Sequence, residues 1–237
     1  MKFPGAPSLF FLAFILVLVP FAAWRTALRL RNQTPGPSVP RLVYWKSAVL
    51  FQCFLFILAW AVGGTFAFPI FAVPHLTAMD VSLAFAALAV FFGLRSFARA
   101  TRSEEERKTL SVYERAPRTG TELAWFSAAV VAASVAEEAA YRGVGMSILW
   151  FWLGNPWIAA LLMSIAFALA HWNQGWKSGL VILAFAGVFH ALVYATDTLV
   201  LAMLVHAAYD FIAGDLIRRQ ALRYDQEADS MRTTNDV

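Results

Sequence analysis

Apolar runs alternate with short polar connectors along this chain, and the runs set the elements. Residues 3–24, 47–79 and 143–176 contain no Asp, Glu, Lys or Arg. A membrane-spanning helix needs roughly 20 mostly apolar residues. On that measure the pattern predicts an all-α fold, a polytopic membrane helix bundle of about seven transmembrane helices. The predicted spans lie near 3–24, 45–64, 77–98, 122–152, 157–171, 179–195 and 199–219. The first is expected to be retained as a helix, kinked at Pro20, because no clean small-residue cleavage site precedes Arg25. Gly154-Asn155-Pro156, Asn173-Gln174-Gly175 and Thr196-Asp197-Thr198 punctuate the second half.

The polar segments between the runs suggest four parts. Residues 1–98 form N-terminal transmembrane helices, and 99–120 form a charged cytoplasmic linker. Residues 121–219 form a core of helices, and 220–237 form a polar tail expected to be disordered at its end. The connector with Arg25, Arg29, Arg31, Arg41 and Lys46 is broken by Pro35, Gly36, Pro37 and Pro40 and reads as a loop. In the linker, Glu104-Glu105-Glu106 precede Arg107-Lys108, the order that suits pairing along an exposed helix.

Composition agrees with the runs. Of 237 residues 60% are hydrophobic and only 14% are charged, against about 25% charged in a soluble domain. The net charge of +4 comes mostly from the connectors and tail. It reads as topology and contact with membrane lipids, not nucleic-acid binding. Basic loops mark the cytoplasmic side. The connectors around 25–46 and 95–118, Lys177 and the tail with Arg218, Arg219 and Arg223 are expected to share it. This predicts an integral protein of the cell inner (plasma) membrane, N-terminus out and C-terminus cytoplasmic. Cys53, the single cysteine, permits no internal disulfide and is expected to be a packed thiol. His75 is expected at the interface, and His190 as a packing residue.

The chemistry concentrates in three polar pieces. The first is Glu137-Glu138-x-x-x-Arg142, three ionisable groups within six intramembrane residues, where such groups are costly and usually functional. Glu138 and Arg142 are spaced i,i+4 and are expected to pair. Glu137 points about 100° away on a helix and is left free to act as a general base. The second piece ends Phe167-Ala168-Leu169-Ala170-His171. The third is His206-Ala207-Ala208-Tyr209-Asp210, with His206 and Asp210 on one helix face. Two chemistries fit if the three converge. Glu137 and His171 can activate a water while His206 and Asp210 hold an oxyanion. Alternatively, Glu137, His171 and His206 can ligate zinc with one position open to water. No His-Glu-x-x-His helix or Gly-x-Ser-x-Gly elbow is present, so both zinc and no cofactor remain open. Convergence requires the long helix carrying Glu137 to tilt or break, and Gly143 and Gly145 are the candidate break.

In this order, Glu-Glu-x-x-x-Arg, Phe-x-x-x-His and His-x-x-x-Asp resemble the CAAX-protease and bacteriocin-processing (Abi) family of intramembrane proteases, over about residues 120–215. The resemblance implies an intramembrane endopeptidase that hydrolyses a peptide bond of a membrane-associated or C-terminal peptide or protein substrate. It implies Glu137 as base with His171 beside it, His206 and Asp210 at the oxyanion, and Glu138 and Arg142 as structural partners. Many members of the family carry Asn where this chain has Asp210. Asn donates to an oxyanion, whereas ionised Asp cannot. Asp210 must then be protonated, orient His206 or bind metal. The alternative reading is a non-catalytic scaffold or a bacteriocin-immunity protein with the same fold.

Overall fold

Helix starts are written into the sequence by caps. The structure, a computed structural model, describes residues 5–32, 39–72 and 75–235. Thr77 caps α4 (Ala78–Ala100) in a capping box with Asp80, and Thr119 does the same for α7 (Gly120–Glu137) with Glu122. Asn155 accepts from the amides of Trp157 and Ile158 at the start of α9 (Pro156–Ala170), where Pro156 needs no amide partner. Gly154, with φ 65°, ends the preceding helix α8 (Met146–Leu153) in the left-handed conformation.

The other helices are α1 (Ala6–Ala13), α2 (Val19–Asn32), α3 (Arg41–Thr65), α5 (Glu104–Lys108), α6 (Ser111–Arg115), α10 (Trp176–Thr196) and α11 (Leu199–Asn235). A π-helical stretch, Phe14–Leu18, joins α1 to α2, and a second, Glu138–Gly145, joins α7 to α8. No strand occurs among the described residues. The fold is an all-α polytopic bundle.

Among the described residues, six helical segments are long and apolar enough to cross a membrane: Ala6–Arg29, Arg41–Thr65, Ala78–Ala100, Gly120–Leu153, Trp176–Thr196 and Leu199–Met231. The remaining expected span, the fifth in chain order, is α9, which has 15 residues, or about 22 Å at 1.5 Å per residue. That falls short of a hydrocarbon core of about 30 Å. Large apolar side chains face outward as lipid-facing residues do, among them Leu50, Phe85 and Trp157. The interior is built on small residues. Ala136, Ala139 and Ala140 are fully enclosed beside Ile15, Val144, Ile148 and Met163. Small side chains let helices approach closely where lipid offers no hydrophobic drive for association.

Several expectations need correction. The last helix does not stop near Arg219 but continues to Asn235. Its polar residues find partners on the linker: Arg118 Nε lies 2.7 Å from Asp225 Oδ2 and Lys108 Nζ lies 3.3 Å from Glu227 Oε2. Tyr113, Ala116 and Ala221 form a small core between them. The linker is therefore not a free solvated helix. Its expected local pairing survives only as Glu104–Arg107 at 3.9 Å, and Glu106 reaches across to Lys177 at 2.8 Å. Pro20 follows the first π-helical stretch, which opens the backbone where a proline supplies no amide. Arg25 and Arg29 belong to α2 rather than to a loop. Pro35, Gly36, Pro37 and Pro74 lie outside the described residues. Cys53 is exposed on the outer side of α3 beside exposed Phe54, not packed.

The basic segments gather at one end. Arg41 contacts Glu122, Trp45 donates to the Arg115 carbonyl, Arg102 donates to Ser178, and Lys177 meets Glu106. The connectors expected to share one side of the membrane thus touch one another.

Candidate active site

Three features of the backbone bring the polar pieces together. The segment Gly120–Leu153 has 34 residues, about 51 Å if α-helical throughout, and its π-helical portion starts between Glu137 and Glu138. A π turn carries an extra residue, and such turns cluster at functional sites. At Gly145 a Cβ would lie 2.6 Å from the Ala140 carbonyl oxygen five residues back and 2.7 Å from Ile15 Cδ1. Glycine is what this turn admits. The expected break at Gly143 and Gly145 is therefore a widened helix that runs on into α8. The third feature is the short α9. It ends at His171 while still inside the bundle.

Glu137, His171, His206 and Asp210 line one cavity of about 700 Å³. It runs from these groups to the basic end, where Arg95, Arg99, Arg102, Arg107 and Arg115 line it. Leu110 to Tyr113 and Arg115 to Pro117 of the linker form part of its wall. His171, Asn173 and Gln174, in the short turn between α9 and α10, line it as well.

His206 is the hub. Its Nδ1 lies 2.9 Å from Glu138 Oε1, and its Nε2 lies 3.4 Å from Asp210 Oδ2 and 4.0 Å from Glu137 Oε2. Phe189 packs on its ring, centroid to centroid 5.2 Å. The consecutive glutamates, expected to do separate jobs, both reach this one imidazole from opposite edges. The expected pairing of Glu138 with Arg142 is present at 3.2 Å, with both side chains fully buried. The guanidinium is off the hydrogen-bonding direction and none of its nitrogens makes an aligned bond. It stacks instead over Phe167 at 4.2 Å and Phe189 at 5.1 Å.

His171 is oriented through its other nitrogen. Nδ1 lies 2.8 Å from the Phe167 carbonyl oxygen. A carbonyl only accepts, so Nδ1 carries the proton and a neutral ring keeps its lone pair on Nε2. Phe167 packs on the ring at 4.6 Å. His190 is buried, as expected of a packing residue, and does not line the cavity. His75 is exposed.

One site residue was missed. Gln52 of α3 donates through Nε2 to Glu137 Oε1 at 2.6 Å and lines the cavity. Glu137 is therefore not free of partners. The available signal was that Gln52 is the lone amide between Ser47 and Thr65, in a run with no charge. Among the described residues no group of three His, Cys, Asp or Glu side chains is placed to hold a metal ion.

No curated protein and no solved structure matches the chain. Residues 119–212, which carry Glu137, Glu138, Arg142, His171, His206 and Asp210, match the model of the family described as type II CAAX prenyl endopeptidase Rce1-like, so this segment is similar to that family, in agreement with the resemblance carried by the three motifs.

Proposed function

We propose that the chain is an intramembrane endopeptidase. The observation that carries this reading is the convergence of Glu137 from α7, His171 from the end of α9, and His206 and Asp210 from α11 on one cavity. Glu137 takes a proton from a water, and the resulting hydroxide adds to a peptide carbonyl. His171, with Nε2 as acceptor, helps hold that water. The negative charge that develops on the carbonyl oxygen is met by His206 Nε2–H. For that the imidazole carries both protons, with Glu138 accepting from Nδ1. Asp210, 3.4 Å from Nε2, orients His206 and is not itself an oxyanion donor. When the C–N bond breaks, Glu137 returns its proton to the leaving amine. The substrate is a peptide anchored at the membrane, with the basic end of the bundle and the C-terminus on the cytoplasmic side.

The test is cleavage of a membrane-anchored peptide library, including prenylated C-terminal tails, by purified protein with and without chelator. Wild type should cleave, and Glu137→Gln should lose about 10²–10⁴-fold in kcat, the usual worth of a general base. Full activity in Glu137→Gln overturns the assignment of the base. Loss of cleavage on chelation replaces the metal-free water with a metal-bound one. No cleavage of any peptide favours a scaffold.

A further inference from the structure

The matched segment begins at residue 119, yet the side chain hydrogen-bonded to the proposed base comes from α3. We infer that Gln52 is a positioning residue of the site, acting through Glu137. The inference rests on the endopeptidase reading.

Three observations support it. Glu137 Oε1 can only accept when ionised, so the amide nitrogen of Gln52 must be the group that faces it, at 2.6 Å. This contact uses one carboxylate oxygen and leaves Oε2 as the oxygen on the His206 side, 4.0 Å from Nε2. A carboxylate alone can rotate about its last bond; with Oε1 held it cannot. Finally, Gln52 Oε1 is enclosed with no hydrogen-bond partner among the described residues, on a side chain that lines the cavity. A buried acceptor left unpaired is costly. A residue that served only to pack α3 against α7 would have no need of it.

Gln52 is also the right length. Asn at this position would fall about 1.5 Å short, one C–C bond, and would break the contact. This makes the contact specific to reach as well as to polarity.

The experiment uses the full chain, purified from membranes, with the peptide library above. Gln52→Met keeps the length and helix preference but removes donor and acceptor. It should lower kcat about 10- to 100-fold, the worth of one hydrogen bond to a charged group, with KM within about twofold. Gln52→Asn should behave like Gln52→Met. In a Glu137→Gln background, where no buried carboxylate is stranded, Gln52→Met should cause no further loss, because residues acting as a unit are not additive. A kcat within twofold of wild type, or a loss that multiplies with Glu137→Gln, overturns the inference. Infrared spectra separate this from failure of the enzymatic reading. The carboxylate band that disappears in Glu137→Gln should move in Gln52→Met whether or not any peptide is cleaved. An unmoved band sinks the link to Gln52, and a moved band without cleavage sinks the endopeptidase reading alone.

Discussion

Glu138 Oε1 lies 2.9 Å from His206 Nδ1, joining two residues 68 positions apart. The same oxygen is 3.2 Å from Arg142 Nη1. One fully buried carboxylate thus orients the imidazole at the centre of the site and balances the buried guanidinium. Removing it strands a charge. Glu138→Ala should destabilise the protein by about 3–5 kcal/mol, the cost of breaking a buried pair on one side. Glu138→Gln with Arg142→Met should recover most of that loss, since apolar replacement of a buried pair is often neutral. Cleavage should not return, because the imidazole loses its charged partner. Thermal unfolding in detergent beside an activity assay reads both effects. Recovered cleavage in the double variant would show that Glu138 serves stability only.

The π-helical stretch predicts a sharp contrast between two glycines. At Gly145 an added Cβ meets the Ala140 carbonyl oxygen at 2.6 Å, and backbone cannot swing aside as a side-chain tip can. Gly145→Ala should destabilise by about 1–3 kcal/mol, as overpacking does, and should lower kcat because Glu137 and Glu138 flank the start of this turn. At Gly187 of α10 nothing lies within 4 Å of the added Cβ. Gly187→Ala should be neutral or stabilising by about 0.4–1 kcal/mol. Equal effects from the two substitutions would mean that the widened turn tolerates a side chain.

Much of this arrangement was legible in the chain, for physical reasons. Apolar run length pointed to the helices, and ionisable groups are so costly in lipid that Glu137, Glu138, Arg142, His171, His206 and Asp210 stood out as candidates, which the fold brings close together. What escaped came from contacts without local periodicity. Gln52 carries no charge and sits in a run that looks like any other span. The extension of α11 to Asn235 depends on Arg118, Lys108 and Tyr113, more than a hundred residues earlier. The π-helical register between Glu137 and Glu138 has no compositional signature, and an α-helical spacing sends their side chains apart. The short α9 was visible as a stretch between Pro156 and His171, but its consequence needed the bundle around it.

The docked linker supplies a prediction about the cavity wall. Arg118 donates from Nη1 to the carbonyls of Tyr113 at 3.1 Å and Ala116 at 2.7 Å, and its Nε contacts Asp225. It ties the linker, its own turn and α11 together. Arg118→Ala should loosen residues 104–117 from α11, raising their limited proteolysis several-fold. KM should rise more than kcat falls, because the linker lines the cavity while the polar floor is untouched. Asp225→Asn should do the same more weakly, since the carbonyl contacts remain. Unchanged proteolysis in Arg118→Ala would place the hold on the linker in the edge-to-face Tyr113–Tyr224 pair, whose centroids are 5.5 Å apart.

A pH response follows from the other anchor of the linker. The hydrogen bond from Lys177 Nζ, at 2.9 Å, holds the Glu106 carboxyl below its ordinary value of 4.5. A carboxylate with a depressed folded value contributes its stabilisation above the unfolded value and loses it as pH falls through the folded one. Docking of α5 on the start of α10 should therefore be intact near neutrality and weaken as pH falls below that ordinary value of 4.5. Because Glu106 and Lys177 are only half-buried, high salt should produce a similar loosening at neutral pH. Limited proteolysis between residues 102 and 110, followed from pH 7 to 3, measures this directly. Glu106→Gln should be as susceptible at pH 7 as wild type is in acid, and should show no further change on acidification. A wild-type digestion pattern that stays constant across this range would mean that Arg102, through its 3.0 Å bond to Ser178, is the contact that keeps α5 in place.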